Sequence, residues 1–351
     1  MNKEFFSLAE KLTLTHSLTT DEYKKLIEFR NEETADYLAK KADAVRKSVY
    51  GNKVFTRGLI EISNVCKNDC LYCGIRKSNK NCERYRLTDE EILECCREGY
   101  SLGFRTFVLQ GGEDGHFTDE AVCGIVSQIK KLYPECAITL SLGDRTKESY
   151  QKLFDAGADR YLLRHETATK EHYEKLHPDN MSFDTRMECL KTLKEIGFQT
   201  GCGFMVGSPF QTNEDIARDL KFIEEFSPEM CGIGPFIPHK DTDFRDYEAG
   251  SVDLTCYLLS NIRLIKPNNL LPATTALGSL DPFGREKGIK AGANVIMPNL
   301  SPQSVRKKYQ IYDNKLSDGT ESAQSKANID ERMERIGYRT VAERGDIERM
   351  I

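Results

Sequence analysis

Three cysteines stand within eight residues of this chain, Cys66, Cys70 and Cys73, in the spacing Cys-x3-Cys-x2-Cys. Thiolates are soft donors that favour zinc or iron–sulfur clusters, and a loop this tight can turn all three toward one centre. A structural zinc site takes four protein ligands. The nearest extra candidates, Cys82 and His116, lie too far along the chain to complete a compact four-ligand knuckle. Three ligands on a cubane cluster leave one iron open, so the spacing favours an iron–sulfur centre that does chemistry over a zinc ion that only holds a fold.

Other reactive groups sit where apolar runs end. Arg105 to Gln110 is followed by Gly111-Gly112-Glu113-Asp114, and paired glycines let a small ligand approach the backbone closely. A second run, from Arg160, ends in Leu163-Arg164-His165-Glu166-Thr167. Adjacent charges on a strand this apolar must face a wet cavity or each other. Arg186, on the helical segment that follows, is a second cation in reach of the same place. Thr274 and Thr275, in Pro272-Ala273-Thr274-Thr275-Ala276, offer two hydroxyls to an anion or carboxylate beside Arg164, and Met230, Met297 and Tyr312 are candidates for a cavity wall. Lone histidines more often serve structure, so His165 and His239 are not assigned catalysis, and no catalytic side chain is assigned beyond the cluster and cofactor site.

These groups need a scaffold, and the chain supplies eight apolar runs that read as buried parallel strands. They span 58–63, 105–110, 136–141, 160–165, 200–206, 230–235, 270–275 and 293–298. Amphipathic segments with capping signals lie between them, at Thr88 with Glu91, Thr118 and Asn213. The pattern predicts an α/β fold, a complete (βα)8 TIM barrel over residues 51–312, with active residues at the C-terminal ends of the strands. An open doubly wound sheet is the alternative. Residues 1–50 read as an N-terminal helical layer, with Thr20 or Asp21 and then Thr34 as caps, that would close the barrel's bottom. Residues 313–351 read as a short C-terminal extension: a polar loop over 313–325 and a helix over 329–336 packed on the barrel.

Composition excludes other classes. The chain of 351 residues has 50 basic and 55 acidic side chains, a net charge of −5 and 39% hydrophobic residues. That balance gives no reason to expect a nucleic acid or an anionic membrane as partner. The N-terminus lacks the apolar core of a signal peptide and no run spans a bilayer, so a cytoplasmic location is expected. In that setting twelve cysteines point to metal binding and buried thiols rather than disulfides.

The cysteine loop, with the aromatic Tyr72 just before its last cysteine and a Gly-Gly-Glu one strand later, resembles the radical S-adenosylmethionine (SAM) enzymes. The strings Arg76–Asn81, Tyr161–Ala168, Gly232–His239, Pro272–Ala276 and Gly292–Asn299 are further similar to the HydE family, radical SAM maturases of [FeFe]-hydrogenase akin to biotin synthase and methylornithine synthase. The resemblance runs from about residue 55 to 312. It implies a 4Fe-4S cluster on Cys66, Cys70 and Cys73, with SAM chelating the open iron and giving a 5′-deoxyadenosyl radical on reduction. It implies SAM contacts at Tyr72, Gly112, Glu113, Ser141, Glu166 and Arg186. Gln110, Thr139, Arg164, Met230, Thr274, Thr275, Met297 and Tyr312 match the family's substrate cavity. The implied substrate is a small organometallic or cysteine-derived one, an iron carbonyl cyanide complex carrying cysteine and attacked at sulfur, with HydG and HydF as maturation partners. A mutase or sulfur inserter acting on a small amino acid is the alternative. Some members carry extra cysteines for a second cluster, whereas residues 257–351 here contain none, so one cluster and no second is expected.

Overall fold

The computed structural model describes residues 3–317 and 322–348. Its strands are β1 (Lys53–Thr56), β2 (Gly58–Ser63), β3 (Thr106–Gly111), β4 (Ala137–Ser141), β5 (Arg160–Leu162), β6 (Gln199–Cys202), β7 (Met205–Val206), β8 (Met230–Cys231), β9 (Gly234–Pro235), β10 (Val295–Ile296) and β11 (Arg339–Val341). β2, β3, β4, β5, β6 and β8 form one parallel sheet in that order. The remaining two staves close it. The Cys231 N–H donates to Leu270 O (3.2 Å), Ala273 N–H to Val295 O (2.9 Å), Leu59 N–H to Pro298 O (2.9 Å) and Leu300 N–H to Leu59 O (2.7 Å). The seventh stave, Leu270 to Ala273, and the eighth, around β10, thus return the ladder to the first. The molecule is a complete (βα)8 barrel.

Several staves are shorter than their apolar runs, for local reasons. The runs 200–206 and 230–235 each break in two, because Gly203 and Gly232 of adjacent staves approach so closely that a Cβ on Gly203 would sit 2.0 Å from Gly232 O. The seventh stave makes only bridges, at Leu270 and Pro272, since proline donates nothing to a ladder and Thr274 already starts the helix Thr275–Leu280.

Helices start one to three residues from some of the expected caps. Thr19 caps Thr20–Glu28, and Asn31, not Thr34, caps Glu32–Tyr50, with Thr34 returning the bond from the third helical position. Thr212, not Asn213, caps Asn213–Phe226, while Thr88 with Glu91 and Thr118 cap as read. The C-terminal helix is Lys326–Arg335. The expected polar loop falls partly outside the described residues, at 318–321.

The other end of the chain shares in sealing the bottom of the barrel, which the N-terminal layer reaches through Tyr50 at the end of the helix Glu32–Tyr50. The N-terminal helices flank the barrel: Ser17, Leu18 and Tyr23 hydrogen-bond Glu224 on one outer helix, and His16 bonds Leu264 O on the next. The C-terminal share of the seal is the segment after β11. Arg344 and Gly345 carbonyls accept from Arg160 (2.9 and 3.1 Å), Arg344 O accepts from Thr106 Oγ1 (2.7 Å), and Asp346 Oδ1 accepts from Arg160 (2.6 Å) and Gln199 (2.9 Å). Gly345 has φ +60° and lies on Phe55, whose ring a Cβ would meet at 2.7 Å, so only glycine passes there without strain. The physical reason for the shared seal is charge: Arg57 and Arg160 are buried at the bottom and need carbonyls and a carboxylate, which the polar tail supplies and an apolar helix face would not.

Candidate functional site

Residues 64–87 run from the end of β2 to the next helix and carry the three cysteines. Arg84 staples this loop from inside, donating to the carbonyls of Asn64 (2.5 Å), Ile75 (2.7 Å), Arg76 (2.6 Å) and Asn79 (3.0 Å). Asn64 ties it to neighbours, donating to Glu83 O (2.9 Å) and Lys308 O (2.7 Å) and accepting from Tyr85 N–H (2.8 Å). Asp69 Oδ1 accepts from Ser78 N–H and Arg76 Nε, both at 2.9 Å. The loop is therefore fixed by its own polar groups. Tyr72 is pinned as well. His177 Nδ1 lies 2.9 Å from Tyr173 O and gives its proton there, leaving Nε2 to accept the Tyr72 hydroxyl at 3.2 Å.

Burial pushes the Cys73 thiol up to about 12 and the Cys70 thiol well above its ordinary value, with the neighbouring thiols adding to it. Such thiols become ligands only with a cationic centre to stabilise the thiolates. Among the described residues no three Cys, His, Asp or Glu side chains are gathered for one metal ion. Three soft thiolate donors on one loop suit an iron–sulfur cluster, which takes each thiolate on a different iron.

β3 brings the Gly-Gly-Glu against this loop. Gly112 N–H donates to Ser63 O (3.1 Å) and Lys67 N–H to Glu113 O (2.9 Å). A Cβ on Gly112 would lie 2.3 Å from Val65 O and 2.8 Å from Cys66 Cβ, so the glycine is what allows the approach. Gly143, at φ +78°, leaves the space that the Glu113 side chain fills. Arg186 is no surface residue: it is buried, donates to Arg164 O (2.7 Å), and pairs with Asp144 (2.8 Å) and more distantly with Glu113 (4.0 Å). Burial works against its charge, and Asp144 foremost overcomes that, raising its pKa.

The end of β5 turns sharply. Glu166 has φ +65°, an uncommon conformation for a residue with a side chain, and its N–H donates to Gly203 O (3.0 Å). His165 and Asp219 hold the turn. His165 Nδ1 accepts from Gly203 N–H (3.2 Å), so Nε2 donates to Asp219 Oδ1 (3.3 Å), which also accepts from Ala168 N–H (2.6 Å). Burial lowers the His165 pKa to about 3, so it stays neutral and structural.

The turn presents Arg164, whose Nη2 lies 3.3 Å from Glu166 Oε2 as an ion pair. Among the described residues Arg164 Nε and Nη2, Glu166 Oε2, Thr139 Oγ1 and Thr274 Oγ1 have no hydrogen-bond partner although buried. Buried polar atoms are normally satisfied, so these atoms are available to a polar ligand; others without hydrogen bonds lie elsewhere in the fold, as at Arg46, Asn261 and Asn269. Gln110 donates to Tyr309 (3.3 Å), and Thr275 accepts from Arg285 (3.2 Å). Ser141 ends β4 directly opposite Gln110. Tyr312 is enclosed with its hydroxyl pKa pushed up to about 12, by burial first.

Met230 and Met297 stand apart. They join Tyr50, Phe55, Leu270 and Val295, and Met230 Sδ accepts from Arg57 (3.0 Å), which in turn reaches Gly345 O (3.3 Å). Both belong to the lower interior, near the seal.

One pair was missed. Glu61 of β2 and Lys315 are buried, 2.7 Å apart, with Asn299 on the other carboxylate oxygen (3.0 Å) and the ammonium 5.4 Å over the Tyr309 ring. A lone carboxylate within an apolar strand was its signal.

The model of the Radical SAM superfamily matches residues 60–223. The chain is 45% identical to the [FeFe] hydrogenase maturase subunit HydE of Thermotoga maritima, over 88% of each chain. It is 29% identical to 3-methylornithine synthase of Methanosarcina barkeri, over 90% of this chain and 89% of that one. The crystal structure of methylornithine synthase (PylB) superposes with a TM-score of 0.82 at 27% identity, covering 95% of this chain and 97% of that one. The hydrogenase maturase HydG shares the fold at a TM-score of 0.81 and 21% identity, over 97% and 76%. No described helix is long and apolar enough to cross a membrane.

Proposed function

Because the chain belongs to the radical SAM superfamily and, within it, to the HydE family of [FeFe]-hydrogenase maturases, we propose that it acts on a cysteine-bearing iron carbonyl cyanide complex, with attack at the cysteine sulfur. The carrying observation is the set of buried donors without hydrogen-bond partners on Arg164, Thr139 and Thr274, carried by β4, by the turn after β5 and by the end of the seventh stave. When bound there, a single 4Fe-4S cluster and SAM supply a 5′-deoxyadenosyl radical.

The chain's own groups do the rest. Cys66, Cys70 and Cys73 hold the cluster, and the Gly112 cradle with Glu113, Tyr72, Ser141, Glu166 and Arg186 orients SAM. Arg164 takes the substrate's carboxylate as a charge-assisted pair, Thr274 and Thr139 take further polar atoms, and Gln110, Thr275 and Tyr312 shape the wall. Met230 and Met297 bound the chamber from below. The residues 339–348 seal excludes water from that end, which protects a reactive intermediate. HydG is the proposed source of the substrate and HydF the recipient of the product, in the cytoplasm.

Complementation tests this. A host lacking its own HydE makes active [FeFe]-hydrogenase with this chain and none with Cys70→Ala. Failure of the intact chain, together with turnover of a free amino acid to a rearranged or sulfur-containing product, would replace the proposal with the mutase or sulfur-inserter reading.

A further inference from the structure

The molecule as a whole is acidic, with a net charge of −5. The surface beside Cys66 is not. A depression of about 440 Å³ there is lined by Cys66 together with Lys67, Lys77, Arg84, Arg86 and His116, against only two carboxylates, Glu113 and Asp114. Both carboxylates are engaged, Glu113 by Lys67 at 3.1 Å and Asp114 by Arg86 at 2.7 Å. Arg84 spends its donors on loop carbonyls but keeps its charge. The exposed Lys77 completes an excess of positive charge around one cysteine.

That cysteine is distinctive. Neither Cys70 nor Cys73 lines the depression; Cys70 Sγ faces Met181 Sδ at 3.6 Å instead. Cys66 is the cysteine of the cluster loop that this depression reaches. The proposed reaction consumes one electron per SAM cleaved, and an electron arriving through protein must enter where the path is shortest.

We propose that this depression is the docking surface of a small electron-transfer protein with an acidic face, which reduces the cluster by one electron through its Cys66 edge. The inference rests on the function proposed above. The donor loses one electron and the cluster gains it; no bond is made and no proton moves. Complementary charge fits such a partner because it raises the encounter rate and orients the pair without tight binding, and electron-transfer encounters use small interfaces.

The test compares wild type, Lys77→Glu and Lys77→Arg, each carrying its cluster, with reduced flavodoxin as the acidic probe and dithionite as the small reductant. Three quantities are read: flavodoxin affinity by calorimetry, cluster reduction by stopped-flow absorbance, and 5′-deoxyadenosine formation. For Lys77→Glu, flavodoxin affinity and the flavodoxin-driven reduction rate each fall about tenfold, as expected for reversing a rim charge, and their dependence on ionic strength flattens. Lys77→Arg behaves as wild type, and dithionite-driven reduction and SAM cleavage are the same in all three.

Unchanged flavodoxin binding in Lys77→Glu, or wild-type binding indifferent to salt, overturns the docking surface and leaves the proposed function standing. Loss of inorganic phosphate binding in Lys77→Glu without any change toward flavodoxin makes the depression a small-anion site and also overturns it. A wild-type protein that never cleaves SAM with dithionite overturns the proposed function instead.

Discussion

Two arginines on one stave do opposite things. Arg160 and Arg164 are four residues apart, about 13 Å along an extended chain, at the bottom and the mouth of the barrel. Arg160 is saturated: Thr106, the carbonyls of Arg344 and Gly345, and the Asp346 carboxylate all accept from it. Arg164 keeps two buried nitrogens without hydrogen-bond partners and leans on a single carboxylate at 3.3 Å. The same side chain is a structural pin at one end and a binding group at the other, and the difference lies wholly in whether the chain returns to meet it. The C-terminal segment comes back under the bottom; the polar atoms of Arg164, Thr139 and Thr274 are left for a ligand.

The contrast predicts a split between stability and function. Arg160→Met takes a charged donor from the Asp346 carboxylate and from the Arg344 and Gly345 carbonyls, and costs about 3 kcal/mol of stability, read by denaturant unfolding. Arg164→Met leaves stability within about 1 kcal/mol, because it removes donors without hydrogen-bond partners and a single 3.3 Å ion pair made by a side chain that is one-third exposed. Its effect appears in substrate KM, which rises at least about tenfold for a lost charged contact, while substrate-independent SAM cleavage persists. Equal stability losses in the two variants would dissolve the distinction between pin and binding group.

Acid tests the seal more gently. Burial alone would raise the Asp346 pKa, but Arg344, Arg160 and Gln199 outweigh it and hold the carboxyl below its usual range. A depressed carboxylate contributes stability that is present above its unfolded pKa, about 4, and is lost as the pH falls below that. The wild-type melting temperature should therefore drop on acidification below about pH 4 more steeply than that of Asp346→Asn, which begins lower at neutral pH. Parallel acid limbs would mean that the seal is not held by this charge.

The sequence made the two ends unequally legible. The barrel and the mouth announced themselves, because apolar runs repeat with glycines and caps between them, and because Cys66, Cys70 and Cys73 and the Gly-Gly-Glu are rare in combination. Partners contributed by ordinary-looking residues did not. Arg84 lies in a polar stretch with nothing to mark it as the staple of the loop, Asp144 gives no sign that it will neutralise Arg186, and His177 looks like any lone histidine. The C-terminal share of the seal is not legible in the sequence, because residues 339–348 are charged and lack periodicity. They are ordered by Arg57 and Arg160, whose burial a linear reading cannot see.

The smallest expected effect isolates the principle best. Thr106 and Thr139 are both buried, on the neighbouring strands β3 and β4. Thr106 Oγ1 donates to Arg344 O (2.7 Å) and accepts from Arg160 (3.1 Å), whereas Thr139 Oγ1 has no partner. Valine keeps the shape of threonine and removes the hydroxyl. Thr106→Val should cost about 1–2 kcal/mol, since it leaves a buried carbonyl and an arginine donor short of a partner. Thr139→Val should be neutral or stabilising by up to about 1 kcal/mol, since it removes an unpaired buried hydroxyl, and should weaken only substrate binding. Thermal unfolding of the two variants side by side reads this directly. A destabilised Thr139→Val would mean that the hydroxyl has a partner within the fold, and the mouth would then lose its claim to be the end of the barrel left open for a ligand.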